Sequence, residues 1–108
     1  MQEVKSQKLK VKTVKQYLII ANDGKDDGAL DRRKEVRPLH LAGAKKLKAK
    51  NNFVIGGAML DDDGNAGSIM IVQFETQDDF QTWYDNESYI TPGVWKTIEV
   101  KAFRVAEV

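Results

Sequence analysis

One histidine, His40, stands in the run Arg37-Pro38-Leu39-His40-Leu41, and it is the residue in this chain best suited to moving protons. An imidazole ordinarily titrates near pH ~6.5, so around neutral pH it can take up or release a proton. On a helix turning about 100° per residue, His40 shares a stripe with Val36, Leu39, Gly43 and Leu47. A titratable ring among apolar neighbours calls for a reason. The plain one is a core histidine whose N–H is satisfied by a carbonyl or a carboxylate. The sharper one is a general acid or base at the wall of a pocket, and geometry decides between them.

The chain that must position this ring has 108 residues, enough for one domain with one core. Apolar residues make up 42% and charged residues 31%, a globular composition, and the net charge is +1. That balance supplies no overall field for nucleic acid or an anionic membrane. With no cysteine, a disulfide framework and a thiolate zinc site are excluded. No apolar run approaches the roughly 20 residues of a membrane span, and the start lacks the apolar core of a signal peptide. The expected setting is the cytoplasm, with no metal and no cofactor.

Residues 1–15 are basic, with Lys5, Lys8, Lys10, Lys12 and Lys15 against Glu3, and form an extension to a domain over 16–108. A ragged edge strand or a mobile tail suits them; a nucleic-acid arm lacks interleaved aromatics for stacking. Residues 16–21, with Tyr17-Leu18-Ile19-Ile20-Ala21, read as a strand buried on much of both faces. Asn22 to Gly28 is a loop. Its acids Asp23, Asp26 and Asp27 read as solvated, and their spacing fits no cation loop. A helix follows over 31–50, with Asp31 as a possible cap. Pro38 places itself in the first turn or marks a kink, because its ring clashes with the carbonyl four residues back. Gly43 would let this helix approach a sheet closely. Lysines at 45, 46, 48 and 50 cover its outer face, and Asn51-Asn52 can end it in the left-handed conformation.

Residues 53–60 read as a second strand, in which Gly56-Gly57 marks a bulge or a close backbone approach. Residues 61–67 form an Asp-Gly hairpin loop; as a calcium loop they fail, because Ala66 and Val72 stand where Gly and Glu are needed. The third strand, 68–75, is apolar on both faces. Thr76 caps a second helix with Asp78 and Asp79 in its first turn and the buried stripe Phe80, Trp83 and Tyr84. In the last strand, 94–105, Ile98, Val100 and Ala102 take one face, and Trp95, Thr97, Glu99, Lys101 and Phe103 the other. The order β-α-β-β-α-β is the ferredoxin-like pattern: α+β, a four-stranded antiparallel sheet with both helices on one face. The other face is apolar as well. Covering roughly 700 Å² of it at ~25 cal/mol per Å² is worth on the order of 15 kcal/mol before the costs of association, so a homodimer with sheets face to face is expected.

Tyr17-Leu18-Ile19-Ile20-Ala21, Arg37-Pro38-Leu39-His40-Leu41, Gly56-Gly57, the Asp-rich turn into Gly67-Ser68, and Trp83 followed by Tyr89 and Gly93-Val94 together give residues 16–104 a familiar order. The chain resembles the YCII-related (YciI-like) family of the dimeric α/β-barrel superfamily. That resemblance implies a ferredoxin-like homodimer with a site centred on a histidine and a carboxylate. Relatives include a dehydrochlorinase of a chlorinated hydroxyquinol, and the wider superfamily includes cofactor-independent monooxygenases. The histidine carries over to His40, with Arg37 beside it. Where many members read Asp-Pro-Tyr ahead of the last strand, this chain reads Glu87-Ser88-Tyr89. The charge is kept, a methylene is added and the proline is lost. Asp61 and Asp62 are the other carboxylate candidates.

Two functions follow. In the first, His40 is general acid or base on a small aromatic or carbonyl substrate, in lyase- or dehydrochlorinase-like chemistry. Glu87 or Asp61 orients the ring, Arg37 or Ser68 holds a developing oxyanion, and Gly57 and Tyr89 join the binding wall. The bland alternatives are a surface ion pair for Arg37, a strand-end hydroxyl for Ser68 and a solvated loop charge for Glu87. In the second, the chain is a non-catalytic dimeric module that binds a small ligand or a protein. Enzyme and binder both stay open on these residues.

Overall fold

The structure, a computed structural model, describes residues 14–108. The readings of the basic start fall outside that range except at Val14 and Lys15. The elements run β1 (Lys15–Asp23), α1 (Ala29–Ala49), β2 (Phe53–Asp61), β3 (Gly64–Phe74), α2 (Gln77–Asp85) and β4 (Trp95–Phe103). The four strands form one antiparallel sheet in the order β2-β3-β1-β4, the expected ferredoxin-like arrangement. No described helix is long and apolar enough to cross a membrane.

Period-2 alternation divides the sheet's side chains between two layers. In register, Ile19 faces Met70 and Tyr17 faces Val72, so these share the face under the helices. Leu47 of α1 and Phe80 of α2 close a core there with Ile19, Met70, Val72 and Phe74. The aromatic stripe of α2 packs as expected. Phe80 stacks on Tyr17 with ring centroids 4.1 Å apart, and meets Phe74 edge-on. The Thr76 hydroxyl accepts from the Asp79 N–H at 3.1 Å, so it caps α2. The opposite face carries Leu18, Ile20, Ile55, Ile69 and Ile71, with Ile69 39% and Ile55 59% exposed.

Several local expectations need correction. The first helix starts at Ala29, with Gly28 as its N-cap residue, and Asp31 lies inside it rather than capping it. Pro38 is not in the first turn. It sits mid-helix, where it withholds an N–H from the Lys34 carbonyl. The inner face of α1 is set by Ala29, Arg33 and Leu47, while Leu39 is 65% exposed. Gly43 does not press on the sheet, since a side chain there would meet open space. Asn51 does adopt the left-handed conformation, at φ 63°. The hairpin turn is shorter than read, because β3 already begins at Gly64. The register of β1 and β4 slips between Asn22 and Asp23, which turns Trp95 inward, away from the face it was assigned.

Candidate functional site

Three side chains of α1, Arg33, Arg37 and His40, are four and three residues apart, so they project from one side of the helix. His40 is largely buried, and its Nδ1 lies 2.6 Å from Glu87 Oε1. Glu87 follows α2 in a tight connector, in which the Ile90 N–H donates to the Glu87 carbonyl. The same Oε1 also accepts the Tyr89 N–H at 3.1 Å, so the connector fixes the carboxylate before His40 meets it. An ionised carboxylate only accepts, so against it the ring carries a hydrogen on Nδ1, and in the neutral ring Nε2 then keeps its lone pair. The ring itself is held by stacking. It lies 3.9 Å from the Tyr89 ring at 9°, with Trp95 edge-on at 5.9 Å.

Behind this pair lies a second polar cluster. Arg33 Nη1 donates to both Asp23 oxygens, at 3.0 and 2.9 Å, and the two side chains are only 6% and 3% exposed. Arg33 Nη2 donates to Ser68 Oγ at 3.1 Å, and Trp95 Nε1 donates to the same oxygen at 3.2 Å. The Arg33 guanidinium also sits 4.9 Å over the Tyr89 ring. Burial pushes the Tyr89 phenol above the ordinary tyrosine range, against the opposing influence of Arg33 and Arg37. Its hydroxyl is sealed and makes no hydrogen bond among the described residues.

The structure brings most of the nominated residues to one hollow of about 270 Å³, walled by Arg37, His40, Phe53, Gly57, Ser68 and Tyr89. Glu87 stands behind His40. It also borders a larger groove of about 850 Å³ that runs between α1 and α2 past Gly43, Lys46 and Trp83. Asp61 is elsewhere, exposed at the end of β2, with its carboxylate accepting the Asp63 N–H across the hairpin turn. Of the two carboxylates, Glu87 is the one against the imidazole. It is buried, not a solvated loop charge, and Ser68 is more than a strand-end hydroxyl. Arg37 forms no ion pair among the described residues.

Sequence reasoning missed Asp23, Arg33 and Trp95. In the acidic loop Asp23 is not solvated but buried against Arg33, while Asp26 is exposed and pairs with Arg32 at 2.8 Å, a contact that holds its carboxyl below its ordinary range. The signal for Arg33 was its spacing: it lies seven residues before His40, on the same side of the helix.

Comparison with known proteins agrees with this architecture. The YCII-related domain model matches residues 16–104. Protein YciI of Escherichia coli O6:H1 is 34% identical over 95 residues, covering 82% of this chain and 95% of that protein. An uncharacterized protein of Haemophilus influenzae matches at the same identity and coverage. Among solved structures, 5-chloro-2-hydroxyhydroquinone dehydrochlorinase (TftG) from Burkholderia phenoliruptrix, in complex with 2,5-dihydroxybenzoquinone, superposes with a TM-score of 0.71. It is 26% identical, and the match covers 84% of this chain and 95% of that one.

Proposed function

The chain belongs to the YCII-related domain family, and from that premise we propose that it is a cofactor-independent acid–base enzyme acting on a small oxygenated ring or carbonyl compound. The observation that carries the reading is the 2.6 Å contact between His40 Nδ1 and Glu87 Oε1 at the wall of the hollow. Glu87 holds the Nδ1 hydrogen, so Nε2 is the base. It takes a proton from a ligand O–H or C–H, and the electron pair left behind moves toward a carbonyl oxygen or expels a leaving anion. Glu87 then stabilises the imidazolium until Nε2 returns the proton. Arg37 supplies positive charge beside the developing oxyanion. Proton transfer of this kind is typically worth ~10²–10⁴-fold in rate. On a chlorinated hydroxyquinol the same scheme runs in two steps: the proton taken from one ring hydroxyl is returned to the ring carbon that bears chlorine, and deprotonation of a second hydroxyl then expels chloride and leaves a hydroxyquinone. We also propose that two chains pair as a homodimer through the apolar sheet faces.

The test uses 5-chloro-2-hydroxyhydroquinone as probe and reads released chloride. The wild-type protein should release it above the buffer rate, and His40→Ala should lose on the order of 10²-fold or more while still gaining thermal stability from 2,5-dihydroxybenzoquinone. Equal rates in the two proteins would remove His40 from the chemistry. Stabilisation by the quinone with no turnover in either protein would favour a binding module.

A further inference from the structure

Ser68 is 2% exposed and its Oγ receives two hydrogen bonds, from Arg33 Nη2 and from Trp95 Nε1. Guanidinium and indole N–H groups can only donate, so both acceptor positions of the hydroxyl oxygen are occupied. The remaining function of that oxygen is its own O–H, and no described residue accepts it. Neither neighbour is free to turn away. Arg33 is anchored by two bonds to Asp23, and Trp95 is 3% exposed, with its ring edge-on to His40 and Tyr89. Ser68 also lines the hollow.

From this geometry we infer that Ser68 is a fixed one-way donor, polarised by Arg33 and Trp95, and that the hollow selects a small ligand presenting an anionic acceptor oxygen there. Arg33 and Trp95 are then positioning residues. They act on the ligand through Ser68 and need not touch it. A serine hydroxyl ordinarily rotates between giving and taking, and so accepts alcohols and oxyanions alike. Here a ligand hydroxyl finds no lone pair left at Ser68 to donate to and can offer it only a neutral acceptor, whereas an enolate or phenolate oxygen makes the stronger, charge-assisted bond. Arg37, a cation on the same wall with no ion pair among the described residues, favours the same charge. The inference rests on the hollow being the substrate site and adds the polarity of what enters it.

The experiment compares two single-ring probes of similar size at a pH where one is ionised and the other is not: tropolonate, which presents only acceptors, and catechol, which presents two donors. Affinities are read by calorimetry and by the shift in thermal unfolding. Wild type should prefer tropolonate. Ser68→Ala should weaken tropolonate on the order of tenfold or more, the usual effect of a hydrogen bond to a charged group, and weaken catechol, a neutral acceptor, several-fold less. Trp95→Phe frees one acceptor position on Ser68, so catechol should gain while tropolonate loses. Ser68→Ala decides alone if the tryptophan variant does not fold. Equal losses for both probes, no loss for tropolonate, or no tropolonate binding to wild type would overturn the inference. His40→Ala separates it from the acid–base reading. A preference that survives in that variant while turnover is lost supports both, whereas His40-dependent turnover with a preference indifferent to Ser68 overturns this inference alone.

Discussion

At the scale of single residues, the site is built from groups that are held before any ligand arrives. Glu87 Oε1 is engaged by the Tyr89 N–H, His40 is stacked on the Tyr89 ring, and Ser68 is gripped from two sides. Tyr89 links the parts, and its hydroxyl makes no hydrogen bond among the described residues. Tyr89→Phe should therefore leave the thermal midpoint at neutral pH unchanged or slightly higher, because the group removed is a buried hydroxyl without a partner. The alkaline limb should change as well. An unfolded tyrosine ionises near pH ~10, while burial raises the folded phenol above that. Above pH ~10 the folded state binds the extra proton, so this contribution to stability is complete below ~10 and is lost as the pH climbs through the folded value. Urea unfolding from pH 8 to 11 should show a fall for wild type that is smaller in Tyr89→Phe. Parallel curves would contradict the assignment.

At the scale of elements, the buried Asp23–Arg33 pair ties the end of β1 to α1, and through Ser68 and Trp95 to β3 and β4. Arg33→Met would leave the Asp23 carboxylate buried without its counter-charge and should cost about 3–5 kcal/mol in urea unfolding. Adding Asp23→Asn should recover part of that loss, and a loss below ~1 kcal/mol in the single variant would show that water already solvates the pair. These elements also mark how far the sequence could be read. The strands, both helices and their order followed from periodicity, and the Thr76 cap and the Asn51 turn followed from local chemistry. Trp95 did not, because the register slip opposite Asn22 and Asp23 turns one residue over, and alternation alone carries no sign of it. Pro38 lies well inside α1 rather than in its first turn, because a helix anchored by packing tolerates the missing hydrogen bond that weighs against proline in an isolated helix. Gly67 was read only as a turn residue. A Cβ there would come within 2.2 Å of the Ala21 carbonyl oxygen, a closeness set by a strand 46 residues away in sequence. His40 stood out from its uniqueness, but its partner was one of several carboxylates until the fold brought Glu87 beside it.

At the scale of the whole molecule, the helices cover one side of the sheet and leave Ile55 and Ile69 on the other partly in water. The proposed homodimer covers them, since an apolar sheet face of this size is more stable against a second copy than against solvent. Sedimentation at micromolar concentration should give twice the 12.2 kDa chain mass, and Ile69→Lys should shift the population toward single chains by placing a charge in the joint. A wild-type monomer would refute the arrangement. The hollow lies on the helix side, so its chemistry does not depend on that outcome.

For the proposed chemistry His40 must keep its hydrogen on Nδ1 against Glu87 and offer a bare Nε2 to the ligand, and the nitrogen NMR spectrum of the imidazole reports on both positions. With one histidine in the chain, the ring signals need no assignment. With the ring neutral, Nδ1 should be protonated and Nε2 unprotonated, and adding tropolonate should give a shift centred on Nε2 while the Nδ1 hydrogen stays in place. A hydrogen found on Nε2 instead, or ring nitrogens that do not respond when the ligand binds, would contradict it.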